Sequence, residues 1–177
     1  MDTNLLAKKI KEAHLWEKTI DLERNEFLKV KGQTDTNLYY VIHGSLRIFV
    51  YHESEEHTIR LGYKDNFIAS LDSFISESPS NLCIQSIKKT QLKVISKKSF
   101  LSFIHSSNPN LQIWLEVLNQ LIYQQIEREQ DLLITSPIER YKRVLQRSPL
   151  LFQEIPNKYI ASYLRMTPET LSRIKKS

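Results

Sequence analysis

The sequence predicts an α+β chain: an N-terminal antiparallel β-roll, a long helix, and a small domain of short helices. Three observations carry this. Seven short β-type runs crowd the span from about Glu17 to Ser96, along with all three glycines. Apolar residues then recur at helical steps from Leu111 onward. Last, Ile155–Ser177 reads IPNKYIASYLRMTPETLSRIKKS, whose apolar spacing suits two short crossed helices better than one continuous helix. The expected partition is a roll with a short N-terminal helix over 1–107, the long helix over 108–135, and the helical domain over 136–177.

Taken in order, Asn4–Trp16 places Leu5, Leu6, Ile10 and Ala13 at helical spacing with three lysines opposite, which predicts a short amphipathic helix. The runs EKTIDL, EFLKV, NLYYVI, SLRIFVY, HTIRLGY, LCIQSI and QLKVIS follow, and Gly44 in VIHGSLRIFV reads as the turn between two strands. Many short strands with turn signals at these intervals predict a small antiparallel roll, a double-stranded β-helix. Lys97–His105 is expected as a short helix, and Asn108-Pro109 opens the long one. On that helix Leu111, Leu115, Leu118 and Ile122 fall at three- and four-residue steps, with Trp114 and Leu121 beside them. A helix of about 27 residues is roughly 40 Å long, more than a small roll covers. Packing on the roll alone is one account of the apolar face; the favoured one is a seam with an identical helix, giving a homodimer. Ser136-Pro137 ends the helix and reads as a hinge. Ile138–Gln146 is the first helix of the small domain, followed by Leu150–Glu154.

Within the last stretch, Asn157–Leu164 is one helix and Arg165-Met166 breaks it. Thr167 is a good N-cap, because its hydroxyl can accept from a free backbone N–H. Pro168 suits the first helical position, and Glu169 complements the positive end of the helix dipole. The second helix, Pro168 to about Lys176, turns Leu171 and Ile174 inward and leaves Glu169, Thr170, Ser172, Arg173 and Lys176 outside. This is the layout of a helix-turn-helix whose second helix enters the major groove of double-stranded DNA; an ordinary helical hairpin is the alternative. The turn places Arg165 where a positive φ is often wanted, at a cost of about 1 kcal/mol.

The 177 residues carry a net charge of +5. From Arg140 to Ser177 nine Lys and Arg stand against two Glu, a local excess of about +7, so the rest of the chain is slightly acidic. The positive charge is concentrated where the helix-turn-helix lies, which favours a polyanionic partner. Cys83 is the only cysteine, so no internal disulfide is possible, and a reducing cytoplasm is expected. The N-terminus lacks the apolar core of a signal peptide, and no apolar stretch approaches a bilayer's thickness, so no membrane partner is expected.

Roll, long helix, hinge and helix-turn-helix in that order resemble the Crp/Fnr family of transcription regulators. The resemblance spans essentially the whole chain, most specifically LYYVIHGSLRIF at Leu38–Phe49 and SPIERYKRVLQRSP…IPNKYIASYLRMTPETLSRIKK at Ser136–Lys176. It implies a cyclic-nucleotide-binding-like roll, a dimerisation helix, and a C-terminal domain reading a pseudo-palindromic operator, with RNA polymerase as a further candidate partner. It also implies base contacts by Glu169 and Arg173, with Thr170 and Ser172 near phosphates; Lys158 and Lys176 are expected to approach phosphates too. The chemistry agrees, since Arg can fork onto guanine O6 and N7 and Glu can accept from cytosine N4.

The sequence departs from the family pattern in the effector cassette. Members that bind cyclic AMP carry Gly-Glu and, ten residues after the Glu, Arg-Ser. Here Ala69-Ser70 and Ser80-Asn81 hold those places. Ser70 supplies no carboxylate for a ribose hydroxyl, and Ser80 supplies no bidentate cation for a cyclic phosphate. Cyclic AMP is therefore not expected, and any small-molecule effector is of another kind. Arg165 in the turn and the lack of the strands that often follow the recognition helix are further departures. No cysteine cluster exists for an iron–sulfur centre, and no cofactor is expected.

Two rival readings stand beside this one. A roll can be a metal-dependent cupin enzyme, and His52 and His57 flank Glu53, Glu55 and Glu56. These residues fall at an expected hairpin tip, however, and no Gly-flanked nucleophile motif exists, so no enzyme is expected. The other rival is a ligand sensor or dimeric interaction module whose DNA-binding domain is vestigial.

Overall fold

The computed structural model describes residues 3–176; the expected boundaries at residues 1 and 177 lie outside them. Helix α1 (Thr3–Glu12) buries Leu6, Ala7 and Ile10. It stops short of the expected Trp16 because His14 turns to φ +53°. The Leu15 N–H then returns to Ile10 O at 3.1 Å and the His14 N–H to Lys11 O at 3.0 Å, a paired closure that satisfies the last carbonyls. Trp16 is freed to stack against Tyr40 and Phe67.

Eight strands form the roll: β1 (Lys18–Leu22), β2 (Phe27–Lys29), β3 (Leu38–His43), β4 (Ser45–His52), β5 (Glu55–Tyr63), β6 (Phe67–Ile68), β7 (Cys83–Ser86) and β8 (Thr90–Ile95). They pair antiparallel as two four-stranded sheets, β1-β8-β3-β6 and β2-β7-β4-β5. Leu22, Val41, Leu46, Ile48, Ile84, Leu92 and Val94 fill the space between the sheets. Gly44 makes the β3–β4 turn at φ +89°, where a Cβ would sit 2.4 Å from Lys89 O. The β4–β5 hairpin turns through Glu53 and Ser54, both at positive φ, the geometry that matches strand twist in a two-residue turn. The sequence runs missed β6, which at two residues is too short to show an alternation, and the six-residue helix α2 (Leu71–Ser76) beside it.

Helix α3 (Lys97–His105) starts at Ser96, whose hydroxyl accepts from the Ser99 N–H. Helix α4 (Asn108–Leu133) follows, 26 residues capped by Ser107. Its first turns close a second core around Phe100, Ile104 and Trp114, and Leu111 packs into that core. One face of α4 therefore meets the roll while Leu115, Ile122, Ile126 and Leu133 remain exposed.

Ser136 caps α5 (Pro137–Arg147), followed by α6 (Leu151–Glu154), α7 (Asn157–Tyr163) and α8 (Pro168–Ile174). Their core joins Val144, Leu151, Ile155, Ile160, Leu164 and Leu171 to Leu61 and Ile87 of the roll. The small domain is thus seated on the roll through shared apolar packing. No helix among the described residues is long and apolar enough to cross a membrane.

Candidate nucleic-acid interface and effector pocket

Helix α7 buries Tyr159, Ile160 and Ala161 and ends at Leu164. Arg165 takes φ +54°, and the Met166 N–H closes back on Ala161 O at 3.0 Å. Thr167 then caps α8, accepting from the Thr170 N–H at 3.2 Å. The helix ends at Ile174, two residues earlier than expected, because Lys175 is already the C-cap. Leu171 is fully buried and half-buried Ile174 lies beside the chain end. Glu169, Ser172, Arg173 and Lys176 are exposed, as is Lys158 on α7; Thr170 is half-buried and its hydroxyl meets that of Thr167. The Glu169 carboxyl is held below its ordinary range by its own backbone N–H and the Thr167 hydroxyl, with Arg173 adding a smaller pull. Lys175 is tied to Asn157 at 3.0 Å.

The basic excess divides into two uses. Arg140 donates to Ile134 O and Arg165 O. Arg143 pairs with Asp131 at 2.9 Å, and Arg147 bridges Asp131 and Glu127. These three arginines on α5 fasten the small domain to the end of α4, which the charge count alone did not separate from a nucleic-acid surface. Lys142, Lys158, Arg173 and Lys176 are exposed.

A second cluster docks the helix-turn-helix onto the β4–β5 hairpin. The buried Arg128 guanidinium donates to Tyr163 O and to Thr58 O, both at 3.0 Å, and lies 4.1 Å from the centre of the Tyr163 ring. The Ser162 hydroxyl meets Thr58, and Arg165 reaches His57 Nδ1 at 2.8 Å. His57 thus serves the domain contact, and the expected solvated tip is partly covered. Among the described residues no group of three or more His, Cys, Asp or Glu is placed to hold a metal.

Between the roll, α4 and the small domain lies a cavity of about 540 Å³. The roll lines it with Ile48, Leu61, Ile68, Ala69 and Leu82, and α4 with Trp114, Val117, Leu121, Gln124 and Arg128. At its cassette end Ser70 and Ser80 are buried and share a hydrogen bond of 3.1 Å. Ser70 also donates to Asp72 at 3.0 Å, and Ser80 accepts from the Leu82 N–H; Asn81 is exposed. Behind them the Lys29 ammonium, on a residue only 1% exposed, donates to Leu82 O at 2.6 Å and to Ser80 O and Val30 O at 3.3 Å. No sequence signal marked Lys29, Arg60, Arg128 or Ser162 as site residues.

The cyclic nucleotide-binding domain family matches residues 19–107, half of the chain. This chain belongs to that family. Its fold is the Crp/Fnr one. FixK2 of Bradyrhizobium japonicum superposes with a TM-score of 0.73 at 13% identity, over 90% of this chain and 82% of that one. The c-di-GMP responsive regulator CLP of Xanthomonas campestris gives 0.68 at 16%, over 96% and 90%. The catabolite activator protein of Thermus thermophilus gives 0.58 at 20%, over 96% and 81%. No curated protein sequence matches.

The cassette of this family member does not fit a cyclic phosphate. All three donor positions of the Lys29 ammonium are taken by carbonyls. The Asp72 carboxyl is resisted by burial, yet hydrogen bonds from Ser80, the Ser73 N–H and Ser70, with the Lys29 charge, hold it below its ordinary range. An anion thus stands beside Ser70 and Ser80, next to which a cyclic phosphate would be repelled.

Proposed function

We propose that this chain is a DNA-binding transcription regulator, not an enzyme, and that it acts as a homodimer on a pseudo-palindromic operator. The observation that carries the reading is the outer face of α8. Glu169 and Arg173 are exposed one turn apart on a capped helix whose opposite side is locked by Leu171, and neither anchors the fold. In the groove they would face base edges, with Thr170, Ser172, Lys176 and Lys158 toward phosphates. Homodimerisation is supported by Leu115, Ile122, Ile126 and Leu133, exposed at seven- and four-residue steps along α4. Leu118 is half-buried beside them, and Leu111 of the expected seam is engaged with the roll. The effector is not cyclic AMP, for the reasons the cassette gives.

Selection of bound sequences from a random duplex pool tests the reading. A recovered inverted repeat, with half-sites about one helical turn apart, is the expected result. Recovery of unrelated sequences would leave a nonspecific or vestigial DNA-binding domain.

A further inference from the structure

Three arginines line the cavity, and their partners differ. Arg147 is neutralised by Asp131 and Glu127. Arg128 is satisfied by two backbone carbonyls. Arg60, on β5, donates to the neutral Gln124 amide oxygen at 2.9 Å. Among the described residues no carboxylate pairs with Arg60. Desolvation holds the Arg60 pKa below its ordinary value, and the like charge of Arg128 adds a smaller push in the same direction. A half-buried cation lining a cavity, without an anion, is a site that an anionic ligand completes.

The cavity that Arg60 lines has a large apolar share of wall: Leu61 and Ile68 from the roll, Val117 and Leu121 from α4, Leu151 from the small domain. We infer that this cavity binds a small molecule with an apolar body and one carboxylate, the carboxylate seated on Arg60. The volume lies within the range of about 300–1,000 Å³ usual for small-molecule sites. A guanidinium takes a carboxylate as a two-pronged pair. Both terminal nitrogens of Arg128 already donate to carbonyls, which leaves Arg60 to pair with one carboxylate, and Asp72 at the cassette end disfavours a more highly charged ligand. The wall includes Val144, Leu151 and Tyr163 of the small domain, so the occupant touches both parts of the chain. Naming this occupant the effector rests on the proposed function; its binding does not.

The test is calorimetric titration of the full chain, without DNA, with decanoate and phenylacetate, and with decanol as the neutral counterpart of decanoate. At least one carboxylate is expected to bind, and decanol about tenfold or more weakly than decanoate if decanoate is the binder. Arg60→Gln is expected to weaken the carboxylate by about tenfold or more, and Arg60→Lys by less. Leu121→Trp, which fills the cavity and leaves Arg60 in place, is expected to abolish binding, and decides the matter if Arg60→Gln does not fold. Absence of binding by both carboxylates at millimolar concentration overturns the inference, as does carboxylate binding unchanged in Arg60→Gln or in Leu121→Trp. A chain that binds decanoate through Arg60 but selects no DNA keeps this site and loses the regulator reading. One that selects an operator and binds neither carboxylate loses this site alone.

Discussion

Ser162 on α7 and Thr58 on β5 meet hydroxyl to hydroxyl at 3.0 Å, 104 residues apart in sequence. The Thr58 N–H donates to the same serine oxygen at 3.2 Å, and Thr58 O accepts from Arg128. Every polar group of this fully buried threonine is thereby satisfied by the small domain or by α4. The hairpin, the long helix and the helix-turn-helix converge on one residue, so their relative placement is set by hydrogen bonds as well as by apolar packing.

Ser162→Ala should therefore cost more than a surface substitution. It leaves the Thr58 N–H and hydroxyl without their partner in a buried place, which costs about 1–3 kcal/mol. Urea denaturation of the two proteins measures the difference. A loss confined to a few tenths of a kcal/mol would mean that water satisfies Thr58 and that the docking contact is loose.

The cassette makes a paired prediction. Cyclic AMP at millimolar concentration should leave the thermal transition unchanged, because a ligand that does not bind the native state adds no stability. Lys29→Met should destabilise the roll by about 1–3 kcal/mol, since Leu82 O, Ser80 O and Val30 O lose their donor. Asp72 adds a pH signature. Its folded pKa lies below the ordinary 3.8, so the stability it contributes is complete above that value and is lost as pH falls through the folded pKa. The stability of Asp72→Asn should accordingly fall less steeply below about pH 4 than that of the wild type. Micromolar binding of cyclic AMP would overturn the account of the cassette.

The legible parts of this molecule were those whose information is local. Thr167, Pro168 and the Arg165 turn announce α8 through caps and backbone geometry, which act within four residues, and the structure places each as expected. Strand runs with alternating apolar residues give seven of eight strands. What stayed hidden is set by tertiary neighbours. Lys29 sits in EFLKV as an ordinary strand lysine, and only the folded cassette brings three carbonyls to its ammonium. Arg143 and Arg147 read as nucleic-acid charges until the α4 carboxylates arrive opposite them. Leu111 and Leu115 have the same residue type and lie one turn apart; which of them the roll covers follows from the approach of Phe100 and its neighbours, not from spacing.

The exposed stripe on α4 predicts assembly. The Ile122 residue is 58% exposed and Ile126 47% in the single chain, an arrangement that favours a partner helix. The double substitution Ile122→Glu with Ile126→Glu should yield monomers in sedimentation experiments while keeping the β-rich circular dichroism of the roll, since neither side chain enters its core. A wild-type protein that sediments as a monomer at micromolar concentration would rule the seam out.

The interface itself is tested by two substitutions that should fail in different ways. Arg173 is exposed in the last turn of α8, and Lys176 lies past its C-terminal end. If Arg173 forks onto a guanine, Arg173→Ala should cost about 1–3 kcal/mol at one base position of each half-site and relax the preference there. Lys176→Ala should weaken all sequences alike and reduce the salt slope by about one unit per monomer, as one phosphate contact is lost. Thr167→Ala separates helix stability from readout: it removes the bond to the Thr170 N–H and should cost about 1 kcal/mol of folding stability without changing base preference. Affinities for single-base operator variants at two salt concentrations distinguish these outcomes. Equal, uniform losses from Arg173→Ala and Lys176→Ala would mean that α8 reads no sequence, leaving the basic C-terminal helix a nonspecific anchor on the phosphate backbone.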